Sequence, residues 1–234
     1  MYKSETLIGL CNQLENYPPN WDGILARFKS HPRFDPCKSF DIYAYSGFFG
    51  ELHLTQFLEA ITANDPKITL SPSLEEYERF RDIPFIFNHV PNGKVTVKHK
   101  RGKNLPMTDY DAVVRIKNFL VAFEMRIAEE NSNPRDRIKV HGRFVKKSGV
   151  RGVMRSEIYR RKLYPIRVLS EKDVGYVVVI PKTDAGNTPC AERSHIRQSF
   201  LEEGGMIVSL YTDRFTFREE ASAAISKGNL RLAE

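Results

Sequence analysis

Cysteine is scarce in this sequence: Cys11, Cys37 and Cys190 are the only three in 234 residues. They stand far apart and form no Cys-x-x-Cys pair. Neither a disulfide framework nor a cysteine zinc site is therefore expected, and free thiols suit a reducing, cytoplasmic setting. The six histidines, His31, His53, His89, His99, His141 and His195, show no His-x-x-x-His or Cys/His spacing, which argues against a zinc enzyme. No apolar run reaches the roughly 18 residues of a membrane span. The opening "MYKSETLIGLCNQLENYPPN" lacks the charged-then-apolar order of a signal peptide. Internal repeats and low-complexity tracts are also missing. What is present is 41% hydrophobic and 11% aromatic residues, enough for the core of one large domain or of one domain with an added subdomain.

Charge is unevenly placed. Residues 135–167 hold twelve Lys or Arg against Asp136 and Glu157, a local balance of +10 in a chain of net charge +7. The rest of the chain is thus slightly acidic. Such a block is the footprint of a polyanion partner, with a plain solvated face as the bland alternative. An acidic lipid surface fits less well, because no clean apolar stripe accompanies the charges. The candidate nucleic-acid contacts are Arg143, Lys146, Lys147, Arg151, Arg155, Arg160, Arg161 and Lys162. Phe144, Tyr159 and Tyr164 lie among them, positioned either to stack on bases or to pack inward. "GVRGVMR" at 149–155 reads equally as a phosphate-contacting loop or a basic turn.

Hydrophobic periodicity predicts two short helices at 4–14 and 21–30, divided by "NYPPN", and a longer one over 47–63 with Leu54, Phe57, Leu58 and Ile61 as its buried stripe. A short helix is expected at 73–81. Strands follow in "IPFIFNHV", "KVTVKHK", "YDAVVRI" and "FLVAFEMRIA", with turns at "PNG" and at Lys117–Asn118. Beyond them the pattern predicts a helix at 156–164 ended by Pro165, a strand in "VGYVVVIP", a helix in "ERSHIRQSFLEEGG", a strand in "MIVSLYT" and a tail helix from 218. The order implies an α/β fold, a mixed central sheet flanked by helices.

Two acids stand out within that order. Along residues 119–127 strand parity puts Phe119, Val121, Phe123, Met125 and Ile127 on one face, and Leu120, Ala122, Glu124 and Arg126 on the other. A tight hairpin at 117–118 would set Asp111 beside Glu124. Carboxylates that close repel unless a cation lies between them. A hard ion such as Mg²⁺ accepts such oxygens and can activate water against a phosphodiester. Arg126 would then steady the phosphate. Glu51, three residues before Leu54, points near the buried stripe of its helix. A turn Asp and an exposed Glu–Arg pair are the alternative.

These elements resemble the PD-(D/E)xK nuclease superfamily. The residues that carry the resemblance are "GFFGE" at 47–51, "DYD" at 109–111 and "FEMR" at 123–126, with Glu124 following Asp111 by 13 positions. The resemblance implies a restriction-endonuclease-like core over 46–212, with an N-terminal helical extension over 1–45 and a helical tail over 213–234. It implies that Asp111, Glu124 and Glu51 ligate Mg²⁺ or Mn²⁺, that Arg126 replaces the family's lysine, and that DNA is the substrate, cut in many members by a homodimer. The span from Glu51 to Asp111 implies an insertion around 66–82. If arginine does not substitute, another lysine must arrive, with Lys117 and Lys139 as candidates. The expected activity is metal-dependent cleavage of DNA. The rivals are an inactive nuclease-fold protein that binds nucleic acid within a complex, and an unrelated basic RNA-binding α/β protein.

Overall fold

Apolar stripes and caps account for the first helices. In α1 (Glu5–Leu14), Leu7, Leu10, Cys11 and Leu14 recur at helical spacing and are buried. After the proline pair, α2 (Trp21–Ser30) opens where the Asn20 side chain accepts from Gly23 N, and it buries Ile24, Leu25 and Phe28. The computed structural model describes residues 5–31, 34–35, 41–72, 84–90, 94–100, 106–117, 119–127, 137–140, 143–146, 162, 164–166, 175–182, 205–228 and 230, and gives only the backbone of 43, 44, 106, 107, 119, 137–140 and 143–146. The expected helix at 73–81, residues 192–204 of the next expected helix, the "PNG" turn and the 149–155 loop lie outside the described residues.

The third helix, α3 (Ile42–Asn64), starts earlier than expected. Ile42, Tyr45, Phe48 and Phe49 pack against the core, so the apolar stripe runs on through Gly47. The strands are β1 (Ile68–Leu70), β2 (Phe85–His89), β3 (Val95–His99), β4 (Pro106–Tyr110), β5 (Ala112–Ile116), β6 (Phe119–Met125), β7 (Arg137–Val140), β8 (Arg143–Lys146), β9 (Gly175–Ile180) and β10 (Gly205–Ser209), before the last helix, α4 (Arg214–Lys227).

The central sheet has the order β1-β5-β6-β9-β10. Its first three strands pair antiparallel, and β9 and β10 continue it in parallel. The protein is thus mixed α/β, with a mixed central sheet flanked by helices. A second, antiparallel sheet has the order β2-β3-β4, and β7 and β8 form a hairpin of their own. Parity holds along β6: Val121, Phe123, Met125 and Ile127 face the main core with α1 to α4, which brings Leu7, Phe28, Phe57 and Phe217 into the same cluster. The segments outside 46–212 therefore share one core with the sheet. No helix of the described residues is long and apolar enough to cross a membrane.

Four local expectations need correction. "YDAVVRI" is two strands rather than one, broken at Asp111, and each half joins a different sheet. Part of the supposed insertion is β1, paired with β5 in the central sheet. Pro165 lies within a helical turn at 164–166 instead of ending it. The last helix begins at 214, where the Asp213 carboxylate accepts from Phe215 N and Thr216 N, and stops at Gly228.

His53 on α3 is fully buried beside Tyr17, Tyr211 and Phe217, with ring centroids 5.8, 5.9 and 6.5 Å away. Burial pulls its pKa from 6.5 to about 4. A folded pKa below the unfolded one means the neutral ring stabilises the fold above pH 6.5, and that contribution is lost as pH falls towards about 4. His53→Phe is expected to remove roughly 2–4 kcal/mol of this acid destabilisation, read from urea midpoints at several pH values. An unchanged acid slope would refute the assignment.

Candidate active site

The site begins at a hairpin. Lys117 takes a φ of 53°, which suits a two-residue turn, and Ile116 pairs with Phe119 across it. The register runs down to Ala112 against Phe123, which brings Asp111 to the Glu124 end of β6. In the neighbouring sheet Tyr110 pairs with Val95, and one further step sets Asp111 against Lys94. Asp111 therefore sits where the chain leaves one sheet for the other. Its backbone N–H donates to Phe123 O at 3.1 Å, and its Oδ2 accepts from Met125 N at 2.8 Å. The other oxygen, Oδ1, lies 3.2 Å from Lys94 Nζ.

Glu51 arrives from α3. The helix lies so close to the end of β6 that a Cβ at Gly50 would stand 2.7 Å from Ile127 Cγ1 and 2.9 Å from Met125 Cγ. Only glycine permits that approach, whereas Gly47 has open space around it. The glycine of "GFFGE" next to the acid thus presses α3 onto β6 and delivers Glu51. Its Oε2 accepts from Lys94 Nζ at 3.0 Å, and Asp109 Oδ2 lies 3.7 Å from the same nitrogen.

Glu124 is 1% exposed, and its two oxygens meet two cations. Oε1 pairs with Arg126, its neighbour on the same strand face. Oε2 accepts from Lys162 Nζ at 2.5 Å. Lys162 was expected on the basic surface; instead it is buried, with Nζ also donating to Asp109 O at 3.2 Å. The Tyr110 hydroxyl donates to the Lys162 carbonyl, tying this helical residue to β4.

These contacts shift several ionisations. Burial and the Asp111 charge raise Glu51 to about 7, against the pull of Lys94 and Arg126. For Lys94 burial acts downward, but Asp111, Glu51 and Asp109 outweigh it and hold the ammonium above the ordinary lysine value. Burial, helped by Arg126, lowers Lys162 to about 7.

The expected acids Glu51, Asp111 and Glu124 thus lie in one neighbourhood with Arg126. Lys94 and Lys162 were not anticipated as site residues. Lys117 is exposed at the hairpin turn, the far end from Glu124, and the side chain of Lys139 is not described. Lys162 carried a readable signal: it lies four residues from both Ile158 and Ile166, on an apolar helical stripe. Lys94 carried none, since its place depends on the β3–β4 register. Arg143 and Lys146 belong to β8, while Lys147, Arg151, Arg155, Arg160 and Arg161 lie outside the described residues. Tyr164 is 53% exposed and sets its ring against Phe85.

Carboxylate oxygens are the donors a hard divalent ion takes, so the chemistry of Glu51, Asp111 and Glu124 suits Mg²⁺ or Mn²⁺. Among the described residues, no three Asp, Glu, His or Cys side chains are spaced to hold an ion as they stand. The ammonium of Lys94 is the group that Glu51, Asp109 and Asp111 surround. No family model matches the chain, and no curated protein or solved structure shows significant similarity to it.

A buried pair broken on one side leaves an uncompensated charge. Glu124→Gln and Lys162→Met are each expected to cost about 3 kcal/mol, and the double variant should fall short of their sum by at least ~1 kcal/mol. Urea unfolding of the four proteins measures this coupling, and strict additivity would show that the two side chains do not act as a pair.

Proposed function

We propose that the chain is a metal-dependent nuclease of the PD-(D/E)xK type, with a restriction-endonuclease-like core, that hydrolyses DNA phosphodiester bonds. What supports this above all is that Glu51 from a helix and Asp111 from a sheet junction converge on one ammonium, while Glu124, at the same end of the neighbouring strand, holds a buried lysine. Asp111, Glu124 and Glu51 would hold Mg²⁺ or Mn²⁺, which when bound supplies a hydroxide at neutral pH and stabilises charge on the phosphate.

The chain's own groups do the rest. Lys162 stands on Glu124 and supplies the ammonium that Arg126 does not, since a guanidinium keeps its proton. Arg126 fixes the other Glu124 oxygen, and the exposed part of its guanidinium would meet a phosphate oxygen. The basic block over 135–167 would hold the DNA backbone, with strongly salt-dependent affinity. A homodimer would allow each copy to address one strand.

A second reading, binding without cleavage, is favoured by one fact: Lys94, Arg126 and Lys162 already neutralise the acids. Purified protein is expected to cut DNA in Mg²⁺ or Mn²⁺. Asp111→Asn, Glu124→Gln and Lys162→Met should each lower the rate by at least ~100-fold, with circular dichroism confirming folded variants. Arg126→Lys should change it by less than ~10-fold. Salt-sensitive DNA binding by an inert wild type would establish the second reading instead.

A further inference from the structure

We infer that Lys94 is a built-in counter-ion that occupies the divalent-cation position between Glu51 and Asp111 and must withdraw before a metal ion can bind. The inference rests on the proposed metal site but not on cleavage. The Lys94 ammonium lies 3.0 Å from Glu51 Oε2 and 3.2 Å from Asp111 Oδ1, so the oxygens a metal would need are already turned towards a cation. A metal ion and the ammonium would repel one another at that range, so they compete for those oxygens.

The two site lysines differ in how firmly they are held. Lys162 is clamped between Glu124 Oε2 and the Asp109 carbonyl, and its side chain is only 9% exposed. Lys94 precedes β3, and its side chain is 26% exposed. Asp109, 52% exposed and 3.7 Å from the Lys94 nitrogen, offers an alternative partner towards solvent. A flexible four-carbon stem allows Nζ to swing from the buried pair to Asp109. Lys94 thereby offsets part of the negative charge of the pocket without metal and sets the threshold concentration at which metal enters.

The test is Mn²⁺ binding to purified protein without nucleic acid, followed by calorimetry and by the loss of the free Mn²⁺ resonance signal. Lys94→Met is expected to bind Mn²⁺ at least ~10-fold tighter than wild type, since it removes the competing charge but keeps the stem. Lys94→Arg, which keeps the charge, should bind no more tightly than wild type. Adding Asp111→Asn to Lys94→Met should abolish the gain. Equal or weaker binding by Lys94→Met overturns the inference, as does the same gain in Lys94→Arg or a gain that survives Asp111→Asn. Should Lys94→Met not fold in chelator, recovery of its melting transition by Mn²⁺ supports the displacement, and no recovery overturns it. Tighter Mn²⁺ binding in a chain that never cuts DNA leaves the inference standing and removes the nuclease. Cleavage by wild type without tighter binding in Lys94→Met does the reverse.

Discussion

One short contact organises the site: the Asp111 carboxylate accepting from the Met125 amide. A buried carboxylate is tolerable only when its oxygens are satisfied. Here one oxygen is fixed by the backbone of β6 and the other by the Lys94 ammonium. Because the Asp111 N–H also returns to Phe123 O, the residue is locked on both sides of its own α-carbon. The switch of the chain from the β2–β4 sheet to the central sheet is pinned at this point. Everything nearby inherits that placement, including Lys94 on one flank and Glu124 on the other.

Burying acids imposes a second condition, that cations be brought from several directions. Arg126 comes from the same strand face, Lys94 from the neighbouring sheet, and Lys162 from the long connection between β6 and β9. Each answers a particular oxygen, so the cluster approaches neutrality inside a low-dielectric setting. The arginine at the end of "FEMR" is therefore not a simple stand-in for a lysine. It shares one carboxylate with a lysine distant in sequence.

Much of this was legible because it is local. Parity along 119–127 assigned the faces of β6, and the Lys117–Asn118 turn set the register that places Asp111 beside Glu124. Glu51 was suspected from its place near the stripe of α3, although the reason for its reach, the contact of Gly50 with Met125 and Ile127, involves residues far along the chain. The break at Asp111 was missed because Tyr110 and Ala112 are both apolar and buried, so the run looks continuous to any period-two reading. Lys162 was hidden among twelve basic residues, and only its alignment with Ile158 and Ile166 set it apart. Short-range periodicity specifies which way a side chain faces, but not which distant charge will meet it.

The location of Lys162 also bears on the order in which the molecule is built. The β5–β6 hairpin closes over a two-residue turn, whereas the parallel pairing of β6 with β9 requires residues 126–174 to cross over first. Loop-closure entropy delays the second event relative to the first. Glu124 must wait on the hairpin as a hydrated carboxylate until that crossover delivers its ammonium partner. Maturation of the pocket is thus tied to docking of the 126–174 connection against β4 and β6, and a nascent chain stalled before residue 162 would carry the acids without the lysine that completes them.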